Sequence, residues 1–365
     1  MTNIDNHSIP PLTQPGELIA AIPGVLGFYP QDSVVLIGFM LDDDHPHSLL
    51  LGPVMRADLD NTDTVSDALH FPPATACDVF LAVLVSDDTT SRQYKRAVST
   101  LKNMVDAFGH PFIDACWSVP EIATGAAFYV EFGPDDDDLI GGIVDNVAMS
   151  PAMKPLLDHG ALPALSRAEA FAYFQAECVY DPDTQALARL AYSRADELIA
   201  RDDAGAPGAD RAVDQSARII VNAPQYSLVT VDNAPKVNDV LPEEDDLLTV
   251  LTCLARSRLR DCLVPTAVAH PRRSAPVFLA IAREFDGVIR SNALCLWAIV
   301  ATAHSLSSWA TAALIIVQEE LPGHALADAL FKALMLGDFD GMLKVVQKGA
   351  HEQRRRLVPS DGKAA

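Results

Sequence analysis

The residues that could do chemistry fall into a few short stretches. Asp42-Asp43-Asp44-His45-Pro46-His47 mixes carboxylates with imidazoles, donor types that suit a divalent cation. It also lies between two strand candidates, where a polar hairpin loop is expected without any metal. Asp135 to Asp138 resembles the opening of a calcium loop. Leu139 and Asn146 stand where an EF-hand needs an oxygen ligand and a bidentate glutamate, so an acidic surface turn is expected instead. Asp32-Ser33 offers a carboxylate and a hydroxyl, but no histidine lies nearby in sequence to act as base, and a turn with a strand cap is the simpler reading.

Arg56-Ala57-Asp58 sets opposite charges two residues apart, on one side of an extended segment. Such a pair either clamps an anion or bonds to itself. Arg260-Asp261, between two apolar stretches, carries the same ambiguity. Asp32, Ser33, Arg56, Asp58, Arg260 and Asp261 are therefore the candidate ligand-binding residues; none is assigned a catalytic or metal-binding role. His270, His304 and His324 have no partner at helical spacing and are expected in ordinary, non-ligand roles. The chain has no P-loop, no glycine-rich dinucleotide fingerprint, no G-x-S-x-G elbow and no H-E-x-x-H. No cofactor is expected from these patterns, and whether the protein is an enzyme stays open.

Elements must position these residues, and the first half reads as α/β. Ser33 to Met40 and Val79 to Val85 are continuous apolar runs of the kind that form strands buried on both faces. Leu49 to Met55 reads as a strand that Gly52-Pro53 confines to an edge or a bulge. Phe112 to Ser118 and Ala126 to Phe132 complete a sheet. A helix is expected from Ser91 to Phe108, with Tyr94, Val98, Leu101, Val105 and Phe108 on one face and Gly109 as its stop. Ser166-Arg167-Ala168-Glu169 forms a capping box before Phe171 and Phe174, and Asp181-Pro182 opens a further helix.

The second half reads as α-helical, opened by Glu243-Glu244-Asp245-Asp246, acids where a helix dipole favours them. Breaks near Pro271, Ser305, Pro322 and Gly337 suggest antiparallel helix hairpins. The expected organisation is thus a flexible 1–14, an α/β domain with a mixed sheet and flanking helices over 15–200, a linker region over 201–241, an α-helical domain over 242–350 and a disordered tail over 351–365.

Composition narrows the partners. With 27 Lys+Arg against 49 Asp+Glu in 365 residues, the net charge is −22. Phosphate backbones and anionic membranes both demand the opposite sign, so neither nucleic acid nor a membrane surface is an expected partner. No signal peptide is visible, and the charge-free stretch between Arg290 and Glu319 is split by His304-Ser305-Leu306-Ser307-Ser308 into two buried helices. The six scattered cysteines contain no C-x-x-C pair and read as buried thiols of a cytoplasmic protein.

Several stretches together carry a resemblance. Pro15-Gly16-Glu17-Leu18-Ile19-Ala20-Ala21-Ile22-Pro23 leads into Leu26-Gly27-Phe28-Tyr29-Pro30 and Asp32-Ser33-Val34-Val35, followed by Arg56-Ala57-Asp58-Leu59. Leu162-Pro163 then precedes Ser166-Arg167-Ala168-Glu169, and the run from Ser257 to Asp261 comes later. This order resembles the actinobacterial family known as domain of unknown function 4192, over about Pro15 to Leu343. The chain departs from that family's tryptophan-rich strand and cysteine cluster, absent between Ala126 and Ser150, and from its Gly-Asp-Gly turn, where Ser307-Ser308-Trp309 stands. The resemblance implies a shared architecture and an actinobacterial cytoplasm, without an activity.

Two functions fit. The first is a non-catalytic interaction or regulatory protein, whose acidity steers it towards an unidentified, basic protein partner, with self-association into a homo-oligomer left open. The second is a small-molecule-binding sensor or enzyme, with its ligand at the strand ends of the α/β domain.

Overall fold

A computed structural model describes residues 14–42, 48–70, 73–106, 108–133, 141–177, 181–229 and 234–357. The metal-like stretch beyond Asp42, the acidic run Asp135 to Asp138, Cys178 and both chain ends lie outside the described residues. The chain divides into two compact units, Met1–Leu157 with Leu162–Arg167, and Asp158–Ala161 with Ala168–Ala365.

In the sheet unit, α1 (Pro15–Leu26) precedes the hairpin of β1 (Ser33–Leu41) and β2 (Leu49–Asp58). There follow α2 (Thr64–Leu69), β3 (Val79–Val85), α3 (Arg92–Lys102), β4 (Ala115–Val119), β5 (Ala127–Phe132), β6 (Gly142–Ile143) and α4 (Lys154–Asp158). The strands lie in the order β2-β1-β3-β4-β5-β6, and only β3 and β4 run parallel. Strand alternation explains the apolar runs. Val34, Leu36, Phe80, Ala82 and Leu84 face α2 and α3, meeting Val65, Leu69, Tyr94 and Leu101. Val35, Ile37, Val83 and Val85 face the other way, onto Leu18, Ile19 and Ile22 of α1. Strands covered on both faces have no use for polar alternation. β2 is an edge strand, and its ladder with β1 shifts register between Ile37 and Phe39, opposite the Gly52-Pro53 step.

The helix expected to reach Phe108 ends at Lys102. Ser91 caps its start by accepting the Tyr94 N–H at 3.1 Å. Beyond Asn103 the Asp106 carboxylate accepts the backbone N–H groups of Phe108 and His110, each at 2.8 Å, and shapes a turn instead. Phe108 is 86% exposed, so the regular apolar spacing past Leu101 marks no buried face. The strand expected at Phe112 to Ser118 is shifted to Ala115–Val119. Asp114 ends that segment: its carboxylate accepts the Phe80 N–H at 2.9 Å, while its own N–H bonds the Phe80 carbonyl.

The helical unit contains α5 (Arg167–Ala172), α6 (Pro182–Asp203), α7 (Ala209–Asn222), α8 (Val237–Val240), α9 (Glu244–Leu254), α10 (Ser257–Arg260) and α11 (Val264–Ala269). It continues with α12 (Pro271–Glu284), α13 (Gly287–Ala303), α14 (Ser307–Glu320), α15 (Ala325–Met335) and α16 (Phe339–Leu357). Asp181 caps α6 as expected, accepting the Thr184 N–H at 3.2 Å, with Pro182 in its first turn. Within 201–241, read above as a linker, the structure forms α7. Val213, Ser216 and Ile220 are buried along one side of it, a face the Gly- and Pro-containing surroundings obscure in the sequence. Residues 351–357, expected to be disordered, continue α16, because Leu357 is buried and Arg354 pairs with Asp214. The unit's core is aromatic: Phe174 stands edge-on to Trp297 with centroids 4.7 Å apart, and Tyr173 to Trp309 at 5.2 Å. Among the described residues no helix is long and apolar enough to cross a membrane.

Candidate functional site

Four of the six candidate residues meet at one end of the sheet. Because β1 runs antiparallel to both neighbours, its first residue, Ser33, pairs with the last residues of β2 and β3, Asp58 and Val85. The Ser33 hydroxyl donates to the Gln31 carbonyl at 2.5 Å and accepts from Arg56 Nε at 2.8 Å. Arg56 Nη2 reaches Asp58 Oδ1 at 2.5 Å. Asp32 adopts the left-handed backbone, φ +41°, where Asp is among the more tolerant residues. Its carboxylate accepts from the buried Ser86 hydroxyl at 2.9 Å, and its carbonyl accepts the Leu59 N–H. Ser86 was not singled out in the sequence, although it directly follows the β3 run.

This cluster is closed on itself. The Ser33 proton points to a carbonyl and its lone pair takes a guanidinium N–H, so no base is placed to make the hydroxyl a nucleophile. A ligand at the carboxyl end of β1, beside Asp42, would not reach Arg56. Leu41, at the carboxyl end of β1, pairs with Leu49, whereas Arg56 pairs with Val35 near the opposite end. Asp42 and Arg56 therefore sit at opposite ends of the hairpin and cannot share a ligand.

Arg260 and Asp261 belong to the helical unit, where they anchor a buried polar network. Each arginine of the segment finds acids or amides: Arg256 bonds Asp196 at 2.7 and 2.8 Å, and Arg258 bonds Asp202 and Asp203 at 2.5 and 2.6 Å, joining α10 to α6. The Arg260 side chain is only 5% exposed. Its Nε and Nη2 donate to Asp261 Oδ1 at 2.9 and 2.6 Å, and its Nη1 donates to Asn292 Oδ1 on α13. The same Asn292 oxygen accepts from His324 Nε2 at 3.0 Å, and the Asn292 amide nitrogen donates to the Leu254 carbonyl at 2.6 Å. These partners define the amide orientation, with two donors on the oxygen and an acceptor on the nitrogen.

His324 is the N-cap of α15, its Nδ1 accepting the Ala327 N–H at 3.3 Å. That leaves the proton on Nε2, facing Asn292. Burial first, and the neighbouring Arg260 charge second, push its pKa below the ordinary imidazole value. Cys295 Sγ lies 3.7 Å from the same Nδ1, so cysteine, histidine and asparagine stand in the order of a thiol protease triad. The chemistry does not follow. Cys295 is fully buried, and desolvation pushes its thiol up to about 12. A reactive thiolate needs the reverse, a depressed pKa and access.

Above this network opens a cleft of about 360 Å³ lined by Ser257, Arg260, Gly323, His324, Ala325 and Leu326. Sequence reading reached Arg260 and Asp261 but missed Asn292 and set His324 among ordinary histidines. The His at the position before an apolar helix was the available signal. His304 also gains a partner, His159, with ring centroids 5.1 Å apart. Burial lowers both pKa values. In the sheet unit, Tyr94 and Ser118 both donate to Glu131, a second polar group that the sequence did not reveal.

Comparison with protein families found that residues 15–337 match the family described as "Domain of unknown function (DUF4192)". Comparison with curated proteins and with solved structures found no match.

Proposed function

The chain belongs to the DUF4192 family, a membership that brings no activity with it, and we propose that it is a non-catalytic interaction or regulatory protein that recruits a basic protein partner onto the open edge of its sheet. One observation carries this reading. Leu49, Leu50 and Leu51 of the edge strand β2 are 44%, 48% and 50% exposed, and Leu41, paired with Leu49, is 56% exposed. Sheet edges are ordinarily blunted by charge or by a covering element, and a run of leucines there invites a further strand. Pro53 lacks a backbone N–H, so an added strand would pair along Leu49–Gly52 and take its specificity from the leucine side chains. The charge of −22 favours a basic occupant.

The strand-end ligand reading has less support, because the Asp32–Ser33–Arg56–Asp58 group satisfies itself. In the helical unit, packing of α12 on α13, α13 on α14 and α14 on α15 supports reading these helices as antiparallel hairpins. Free thiols at Cys77, Cys116, Cys253, Cys262 and Cys295 are in keeping with a cytoplasmic setting. The test is native mass spectrometry of the protein purified gently from its own host, as wild type and as Leu50→Lys. A protein-sized mass increment on the wild type that the variant loses supports the proposal. An increment of one further copy would make the occupant a second chain, and a partner retained by Leu50→Lys would sink the sheet-edge reading.

A further inference from the structure

We infer that the segment recruited to β2 is a short extended stretch with apolar side chains at two alternate positions and lysine or arginine on both flanks. This rests on the sheet-edge reading and specifies its occupant. A hydrogen bond at the loop end of the hairpin fixes which backbone groups of the edge are free. The Asp42 N–H donates to the Ser48 carbonyl at 3.2 Å, so those two residues are a bonded pair. Bonded and non-bonded pairs alternate along an antiparallel ladder. Met40 with Leu50 is therefore bonded, whereas Leu41 with Leu49 and Phe39 with Leu51 are not. The N–H and C=O groups of Leu49 and Leu51 point away from β1, onto the open edge, and Pro53 ends the run because it has no N–H to offer.

The leucines divide unequally between the two faces of the sheet. Phe39 packs against the core beneath α1, so Leu51 opposite it lies on that face, and so does the Leu41–Leu49 pair two residues along. Leu50 alone projects from the other face. Residues of an added strand level with Leu49 and Leu51 place their side chains on the α1 face, against three exposed leucines. The residue between them meets only Leu50. Apolar side chains are thus demanded at i and i+2, and the position between is free to be polar. The charge around the edge is one-sided as well. From Gln31 to His70, the stretch that forms the hairpin and α2, the sequence holds eight aspartates, one arginine and no lysine. That arginine, Arg56, is paired with Asp58. Cationic flanks complement this surface, and acidic ones are repelled by it.

Fluorescence anisotropy of the full-length protein with the labelled peptide Lys-Lys-Ile-Thr-Ile-Lys-Lys tests the assignment. Two further peptides separate its terms. Lys-Lys-Ile-Ile-Thr-Lys-Lys keeps the composition and loses the alternation, and Glu-Glu-Ile-Thr-Ile-Glu-Glu keeps the alternation and reverses the charge. The first peptide should saturate below about 1 mM, and the other two should bind at least about tenfold more weakly. Leu49→Thr and Leu51→Thr are exposed changes that keep a strand-forming residue, and each should weaken the first peptide about tenfold. Leu50→Thr, on the other face, should weaken it by less than about threefold. No saturation by the first peptide overturns the inference, as does equal binding of the shuffled peptide or an equal loss in Leu50→Thr. The underlying reading fails separately: a native partner lost by Leu50→Lys keeps the sheet edge as the docking site even if the peptides fail, whereas a partner retained by that variant removes both.

Discussion

Asn292→Leu removes the hub of the buried network while keeping the branching and the number of heavy atoms, so its effect is dominated by the polar term with some overpacking beside it. The Asn292 side chain satisfies three partners: Arg260 Nη1, His324 Nε2 and the Leu254 carbonyl at 2.6 Å. Asn292 itself is 1% exposed. A stranded charged donor and a stranded imidazole N–H cost about 1.5–3 and 1–2 kcal/mol, and the carbonyl adds about 0.5–1. The leucine recovers part of this through apolar burial. The expected net loss is about 3–5 kcal/mol, a large share of the stability of an ordinary domain. Urea unfolding followed by tryptophan fluorescence measures it, since Trp297 and Trp309 are both buried in the helical unit. A Trp117→Phe background removes the sheet unit's signal. The midpoint should fall by about 1–2 M at unchanged slope. Asn292→Asp, which keeps the acceptors and adds a charge facing Arg260, should lose less than half as much. A leucine variant within about 1 kcal/mol of wild type would refute the hub assignment.

Other perturbations test other parts of the molecule. Burial depresses the pKa of His159, His304 and His324 in the folded helical unit from the ordinary 6.5. The unfolded chain therefore binds more protons just below that value, and stability should fall as pH drops through 6.5 and level off below the folded pKa values, as read by urea midpoints across that range. Gly24→Ala would bring a Cβ to 2.5 Å from the Ala152 carbonyl carbon, a backbone atom that cannot turn aside. Overpacking of about 1–3 kcal/mol should lower the melting temperature of the sheet unit by roughly 5 °C. Cys253 and Cys295, fully buried with thiols pushed up to about 12, should resist iodoacetamide in the native protein and react after denaturation. Peptide mass mapping reads this directly, and native labelling of Cys295 would mean that His324 activates it after all.

The sequence by itself determined what local forces decide. The β1 and β3 runs are apolar throughout because both faces are covered, and Ser91, Asp181 and the acids opening α9 cap or charge their helices within one turn. The succession of a mixed sheet and then helices was legible for the same reason. Where spacing outran packing, the sequence misled: apolar positions continued past Leu101 after the helix had ended, and α7 hid among glycine and proline. Only the tertiary structure decided which ends of the strands meet. The antiparallel pairing of β1 carries Asp32 and Ser33 to Arg56 and Asp58, and sends Asp42 to the far end. It also decided which histidine mattered. Arg260, Asn292 and His324 are separated by 32 residues at each step and come together because α10, α13 and α15 pack on a shared core. In the sequence His324 is one lone imidazole among several. Its bonds to Asn292 and to the first turn of α15 exist only once the helices are folded against each other.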